Sequence, residues 1–268
     1  MDNPKAFINS EVVEVSNDGE KSIQRDLAIE APLALTYNGV SYVVMMVTPN
    51  DLENFIIGFS ITEGIVGNIE DIKDIDIVNV EAGLIARIEI KTACFKNLNT
   101  KPRNIVGQSS CGLCGVEDLE AAFPKLIPLN TPFKIKFENI QKALKEMPSL
   151  QVGNLKTGAM HSAGFVNWAG DIIALQEDVG RHSALDKLIG LIFKEGLDIT
   201  SGFILLTSRC SYELVQKTIT AKAPLLVAVS APTDLAVKMA KDHKLGLIAL
   251  ARADTMLVLN DPFGGHKV

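Results

Sequence analysis

Apolar and polar positions change rhythm near the middle of the chain. In the first third, "LALTYNGVSYVVMM" sets two apolar, β-rich runs on either side of Asn38-Gly39. That dipeptide tolerates positive φ at both residues and predicts a type I′ hairpin. "TPNDLENFIIGFSITEG" predicts a helix, with Thr48 as its cap, Pro49 at the first helical position, Asp51 three residues after the cap and Gly64 at its end. "IDIVNV" and "LIARIEI" predict strands, the second with Leu84, Ala86, Ile88 and Ile90 on one face. The stretch "KTACFKNLNTKPRNIVGQSSCGLCG" then loses periodicity and reads as loop from Asn97 onward. A proline-bearing connection, "AAFPKLIPLNTPFKI", divides the chain into a small α+β domain, 1–125, and a larger α/β domain, 126–268, in which "ENIQKALKEM" predicts a short amphipathic helix.

From Asn154 the pattern becomes strand, loop and helix in repetition. "GDIIALQ" runs into "EDVGRHSALDKLIGLIFKEG", where Leu185, Leu188, Ile189 and Ile192 share a helical face. "GFILLT" runs into "SRCSYELVQKTITAKAP", "LLVAV" into "SAPTDLAVKMAKDHK", and "GLIAL" into "ARADTMLVLN". Such alternation predicts an open α/β sheet with helices on its faces. Ligands of these sheets bind beyond the carboxyl ends of the strands, where loops converge. The polar residues expected there are Glu177, Asp178, Arg181 and His182 after the first strand, Ser208 and Arg209 after the second, Ser230 and Pro232 after the third, and Arg252 and Asp254 after the fourth.

Charge sharpens that expectation. The net charge of −6 argues against a general nucleic-acid binder, whose phosphate contacts need a broad basic face. Yet three of the chain's six arginines fall at predicted strand ends, and the planar guanidinium fork suits phosphate. Arg181 and Asp178 can equally pair to fix a loop. Two of the four histidines, His161 in "TGAMHSAGF" and His182 in "DVGRHSALDK", stand among glycines that permit close ligand approach. No apolar run is long enough for a membrane helix, and "MDNPKAFINS" lacks a basic region followed by an apolar core, so a cytoplasmic location without membrane contact is expected.

Four cysteines in 268 residues are too few for a disulfide framework, which leaves reactivity or metal binding for the closely spaced Cys111 and Cys114 in "SSCGLCG". Cys94 and Cys210 supply no second C-x-x-C for a zinc ribbon, although a site completed by His161 or across a dimer stays open. A thioredoxin-like pair calls for a strand before it and a helix start at it. A zinc nucleoside deaminase requires a glutamate two residues after its histidine, where this chain has Ala163, and the cysteines here precede the histidine. Two buried thiols fit a Gly/Ser-rich stretch poorly. A thiol nucleophile that carries sulfur as a persulfide fits it better. Cys94 and Cys210, next to predicted elements, are expected to be structural.

"RDLAIEAPL", "SSCGLCG", "TGAMHSAGF", "DVGRHSALDK", "TSRCSYELVQK" and "VSAPTDLAV", in that order from about residue 25 to near the C-terminus, together resemble the FdhD family, accessory sulfurtransferases of formate dehydrogenase. The resemblance implies a cytidine deaminase-like three-layer sheet with covering helices in the larger half, no tightly bound metal of its own, and a homodimer. It implies that a persulfide on the loop cysteine takes sulfur from a cysteine desulfurase and delivers it to the bis-molybdopterin guanine dinucleotide cofactor of formate dehydrogenase. Cys111 matches the persulfide-bearing position and Cys114 its neighbour. Leu250, Ala251, Arg252, Ala253, Asp254 and Thr255 lie where the family binds that cofactor. The family usually has an aromatic before the small residue and arginine, and more glycine after; here Arg252 is kept. His161, Arg181, His182, Ser208, Arg209 and Ser230 are expected in the same pocket. The alternative is a non-enzymatic chaperone that binds the dinucleotide for insertion.

Overall fold

The structure, a computed structural model, describes residues 5–98 and 126–267, without the side chains of Asn97 and Lys267. It begins with a two-stranded antiparallel ribbon, β1 (Phe7–Ser16) and β2 (Gly19–Ala28), which the apolar pattern did not mark. Its apolar residues do not alternate cleanly with the polar ones, and Val13 and Val15 are exposed. The expected hairpin follows as β3 (Ala31–Tyr37) and β4 (Val40–Val47), with φ of 48° at Asn38 and 82° at Gly39.

Helix α1 (Leu52–Thr62) starts later than predicted. Asp51 is its N-cap residue, and Thr48 does not cap it. Thr48 is instead buried between the two halves, its Oγ1 accepting from Val179 N at 3.1 Å, so a tertiary contact outbids the local cap. Gly64 does close the helix, in the left-handed conformation, with its N–H on Ile61 O. Strands β5 (Ile72–Val80) and β6 (Gly83–Ile90) complete a four-stranded sheet of order β4-β3-β6-β5. Leu84, Ala86, Ile88 and Ile90 face its core, as their spacing predicted. A short helix, α2 (Thr92–Leu98), then carries Cys94, where sequence had suggested the end of a strand.

The second half opens with β7 (Ile135–Lys136), α3 (Phe137–Leu150) and α4 (Val152–Thr157). The α/β alternation then runs β8 (His161–Asn167), β9 (Ile172–Asp178), α5 (Arg181–Lys194), β10 (Gly202–Leu206), α6 (Tyr212–Thr220), β11 (Leu225–Ala228), α7 (Asp234–Asp242) and β12 (Gly246–Ala249). Strand β13 (Leu257–Asn260) returns antiparallel, and β14 (His266–Lys267) pairs with β7. The six strands lie in the order β13-β12-β11-β10-β8-β9, with β10, β11 and β12 mutually parallel. One face packs on α3 through Ile140, Ala143 and Met147, and the other on α5, α6 and α7, giving three layers. Leu185, Leu188, Ile189 and Ile192 are all 0% exposed, each worth roughly 1.5–3 kcal/mol of burial.

Helices α1 and α5 join the halves. A Cβ placed on Gly58 would lie 1.8 Å from Asp186 O, and one on Gly190 1.8 Å from Asn54 O. The two backbones therefore touch, and no larger residue fits either position without pushing the helices apart. Among the described residues, no helix is long and apolar enough to cross a membrane.

Candidate functional site

The strand registers bring five chain segments to one edge of the larger sheet. Pairing of His161 with Asp178, Leu206 with both Ala163 and Ala228, and Val227 with Ile248 places the carboxyl ends of β9, β10, β11 and β12 beside the start of β8. A cavity of about 480 Å³ opens there. His161, Thr207, Val229, Ala251, Arg252 and Ala253 line its sheet side, while Leu144, Met147, Pro148, Gln151, Asn154 and Met160 line the side of α3 and α4.

The turn after β12 is held in an unusual backbone state. Leu250 has φ of 50°, in the left-handed region that a branched side chain avoids. Such a residue costs on the order of 1–3 kcal/mol and persists only where its surroundings over-determine it. Here Leu250 N donates to Ser230 O, Ala251 N to Ala228 O and Arg252 N to Thr255 O, while the Gln141 side chain donates to the Ala253 carbonyl. Ala251 is sunk into the core and the next residue, Arg252, stands exposed at the cavity. Leu250, Ser230 and Thr255 thus shape the turn through their backbones, and Asp254 is exposed.

A second group of cations surrounds His161. Burial first, then the charges of Arg181, Arg209 and His182, lower the His161 pKa from its ordinary 6.5, so the imidazole is neutral at pH 7. Arg181 Nε is buried without a hydrogen-bond partner. Among the described residues Arg181, Arg209 and Arg252 make no ion pair. The nearby acids are engaged elsewhere. Glu177 accepts from Gly153 N at 2.7 Å and Asn154 N at 2.9 Å, and Asp178 is paired with Lys187 at 2.8 Å, not with Arg181. Glu213 lies 3.7 Å from His182 Nε2; burial raises its carboxyl, but bonds from His182 and Ser211 outweigh that and hold it at about 2. Ser208 is buried, its hydroxyl donating to Arg209 O. Of the residues expected in one pocket, His161 and Arg252 line the cavity, whereas Arg181, His182, Ser208, Arg209 and Ser230 are not among its lining residues. Arg181 and Arg209 stand close enough to His161 for their charges to act on it, and none of the three arginines is claimed by a carboxylate among the described residues, an arrangement suited to a polyanion.

Cys111 and Cys114 lie outside the described residues. Cys94 is half-buried against the first core, and burial, then Asp71, raise its thiol against the opposing pull of Lys91. Cys210 is 0% exposed, and burial pushes its thiol to about 12. Neither is a ready thiolate. Among the described residues no three His, Cys, Asp or Glu side chains cluster as a metal site.

Sequence reasoning missed Gln151, Asn154, Met160 and Thr207. Thr207 directly follows the β10 run and was findable by the rule that marked Ser208. Gln151 stands at the N-cap of α4 and Asn154 within it, a helix of six residues with no amphipathic repeat to mark them.

The profile of the FdhD/NarQ family matches residues 28–263. Proteins named sulfur carrier protein FdhD are among the relatives. That of Bordetella bronchiseptica is 38% identical over 236 residues, 88% of this chain and 86% of its own. That of Cupriavidus necator is 42% identical over 245 residues, 91% and 85%. A solved structure described as a formate dehydrogenase accessory protein, from Desulfotalea psychrophila, superposes with a TM-score of 0.75 over 96% of this chain and 98% of that one, at 24% identity, and shares the mixed α/β fold.

Proposed function

Because the chain belongs to the FdhD/NarQ family, we propose that it is a sulfur carrier that serves formate dehydrogenase through a persulfide on Cys111. The observation that carries this reading is the family match itself, whose span includes the Ser109–Gly115 stretch. In the loading step the Cys111 thiolate attacks the outer sulfur of a persulfide on a cysteine desulfurase. The new S–S bond forms on Cys111, the donor's S–S bond breaks, and the donor cysteine leaves as thiolate with that electron pair. On delivery the acceptor supplies the electron pair to the outer sulfur, and Cys111 departs as thiolate.

The acceptor in this reading is the bis-molybdopterin guanine dinucleotide of formate dehydrogenase, a substrate of the carrier. The strand-end site has the features such a ligand needs. Arg252 and Arg181 offer guanidinium forks for the phosphates, Arg181 with a buried N–H still unclaimed, and the cavity beside Arg252 admits a nucleoside end. His161, neutral in the free protein, can gain a proton when phosphate approaches.

Incubation of the purified chain with a desulfurase and cysteine, followed by mass spectrometry under non-reducing conditions, should place the extra sulfur on Cys111. Cys111→Ala should remove it. Label retained at full level in that variant would reject Cys111, and no label on the wild type would favour a chaperone that only binds the dinucleotide.

A further inference from the structure

The N-terminal ribbon has an edge left open by the rest of the fold. Strands β1 and β2 pair without a bulge from Phe7 opposite Ala28 to Ser16 opposite Gly19, and no third strand joins them among the described residues. Helix α4 lies against β2, where Arg25 Nη2 donates to Thr157 O at 3.3 Å, so the open edge is that of β1. Every second residue of β1 turns its N–H and C=O away from β2. Such edges are commonly guarded by lysine, proline or a bulge, and "FINSEVVEVS" has none of the three. A two-stranded ribbon is also marginal on its own in water, and further strands stabilise it. The apolar residues indicate how a further strand would sit. Val12 stands opposite Ile23, both half-buried, and Ile8 opposite Leu27, so these four share one face of the ribbon, while Val13 and Val15 are exposed on the other.

We propose that β1 pairs antiparallel with β1 of a second copy of this chain, Val12 opposite Val12 of that copy, joining the two ribbons into one four-stranded sheet. A strand set beside its own copy about a twofold axis runs antiparallel, and residues directly opposite each other share a face. A register centred on Glu11 or Glu14 would oppose like charges, which destabilises the pairing. One centred on Val13 would set Val12 against Glu14, and one centred nearer either end would pair fewer residues. Centring on Val12 instead lines up Ile23, Val12, Val12 and Ile23 across the four strands, an apolar row that neither ribbon completes alone. Ser10 then meets Glu14 of the second copy, Glu11 meets its Val13 and Asn9 its Val15, so no like charges are opposed. Ile8 and Ser16 close the pairing at its ends. The ribbon lies before residue 28, where the family match begins, so that match says nothing of this surface, and the pairing does not depend on the sulfur-carrier reading.

Cysteines placed in the full chain read the register directly. At high protein concentration under mild oxidation with diamide, Val12→Cys should give a dimer linked through position 12, identified by mass spectrometry against the products of the wild type's own thiols. Ser10→Cys should not link to itself, because the two copies of position 10 lie about four residues, roughly 13 Å, apart along the paired strands, beyond the reach of a disulfide. Ser10→Cys mixed with Glu14→Cys should link. Adding Val12→Glu to both members of that mixture sets two like charges against each other at the twofold axis, and should slow the linkage roughly tenfold or more. Absence of a link through position 12, or a link through position 10 that forms as readily, overturns the pairing. Linkage through Val13→Cys in preference to Val12→Cys overturns the register, and an unchanged rate with Val12→Glu overturns the second copy as the occupant of this edge.

Discussion

The seam between the two halves of the protein and the rim of the strand-end cavity carry the same side-chain chemistry in opposite states. In the seam, Lys187 and Asp178 are both 0% exposed and 2.8 Å apart. Asp178 also accepts from Thr48 N and Gly180 N, and Lys187 donates to the Thr48 and Glu177 carbonyls. Asp186, the residue before Lys187 on α5, repeats the arrangement with Lys217, Thr62 and Glu63. Burial would lower the Lys217 pKa, but Asp186 and Glu63 outweigh it and keep the ammonium charged. At the cavity and beside His161, by contrast, Arg252, Arg181 and Arg209 have no carboxylate partner among the described residues. Charge alone does not mark a site. Charges answered within the fold hold it together, and those left unanswered are available to a ligand.

The largest expected effect comes from breaking the answered set. Lys187→Met would leave the Asp178 carboxylate buried with its counter-charge gone, a loss of roughly 3–5 kcal/mol. Burial already raises the Asp178 pKa, and removing the lysine removes its main opposing influence. Urea unfolding should show the loss, and Lys187→Met combined with Asp178→Asn should regain part of it. A change under about 1 kcal/mol in the single variant would mean that the seam is hydrated and the contrast false.

Removing an unanswered charge should do the opposite. Arg252→Ala takes away an exposed guanidinium that makes no ion pair, so stability should stay within about 0.5 kcal/mol. Affinity for GDP should nevertheless fall roughly tenfold or more if the guanidinium makes a charge-assisted bond to phosphate. Calorimetry and thermal unfolding on the same samples separate the two readouts. Unchanged affinity would take Arg252 out of the site, and a large loss of stability would place it in the answered class.

Most of the fold was legible because its elements obey local rules. The hairpin at Asn38-Gly39, the apolar face of β6 and the helix that became α5 follow from turn chemistry and periodicity. The failures came where a distant partner decided. Thr48 looks like a cap in sequence, but its hydroxyl is claimed by Val179, 131 positions away. The ribbon β1–β2 lies largely outside the two cores, so it has no buried face to write alternation into the sequence. For the site, the strand-end rule marked Arg252, which lines the cavity formed where the parallel order brings those ends together, while His161 was marked by its glycine neighbours and not by that rule. It could not tell Asp178 from Arg181, neighbours in one loop, because only the fold shows that Lys187 has taken the acid.

The smallest effect concerns His161, and its sign distinguishes the two classes of charge within one residue. Its folded pKa lies below the unfolded value near 6.5, so the folded chain binds fewer protons at this group. Its neutral state contributes stability above pH 6.5 that is lost as the pH falls through 6.5 towards the folded value. A bound polyanion favours the imidazolium, so binding draws in a proton, and affinity should rise over the same acid range. Acid therefore weakens the fold and tightens the complex at one side chain. The proton-linked part of affinity is bounded at about tenfold per pH unit for a single group, and ionisation of the phosphates subtracts from it. Comparison with His161→Asn cancels the ligand's own titration. GDP titrations from pH 7.5 to 5.5 should give a steeper acid gain for the wild type than for the variant, and unfolding over that range a steeper acid loss. Parallel affinity profiles would show that the arginines act on the ligand without His161, even though their charges already depress it in the free protein.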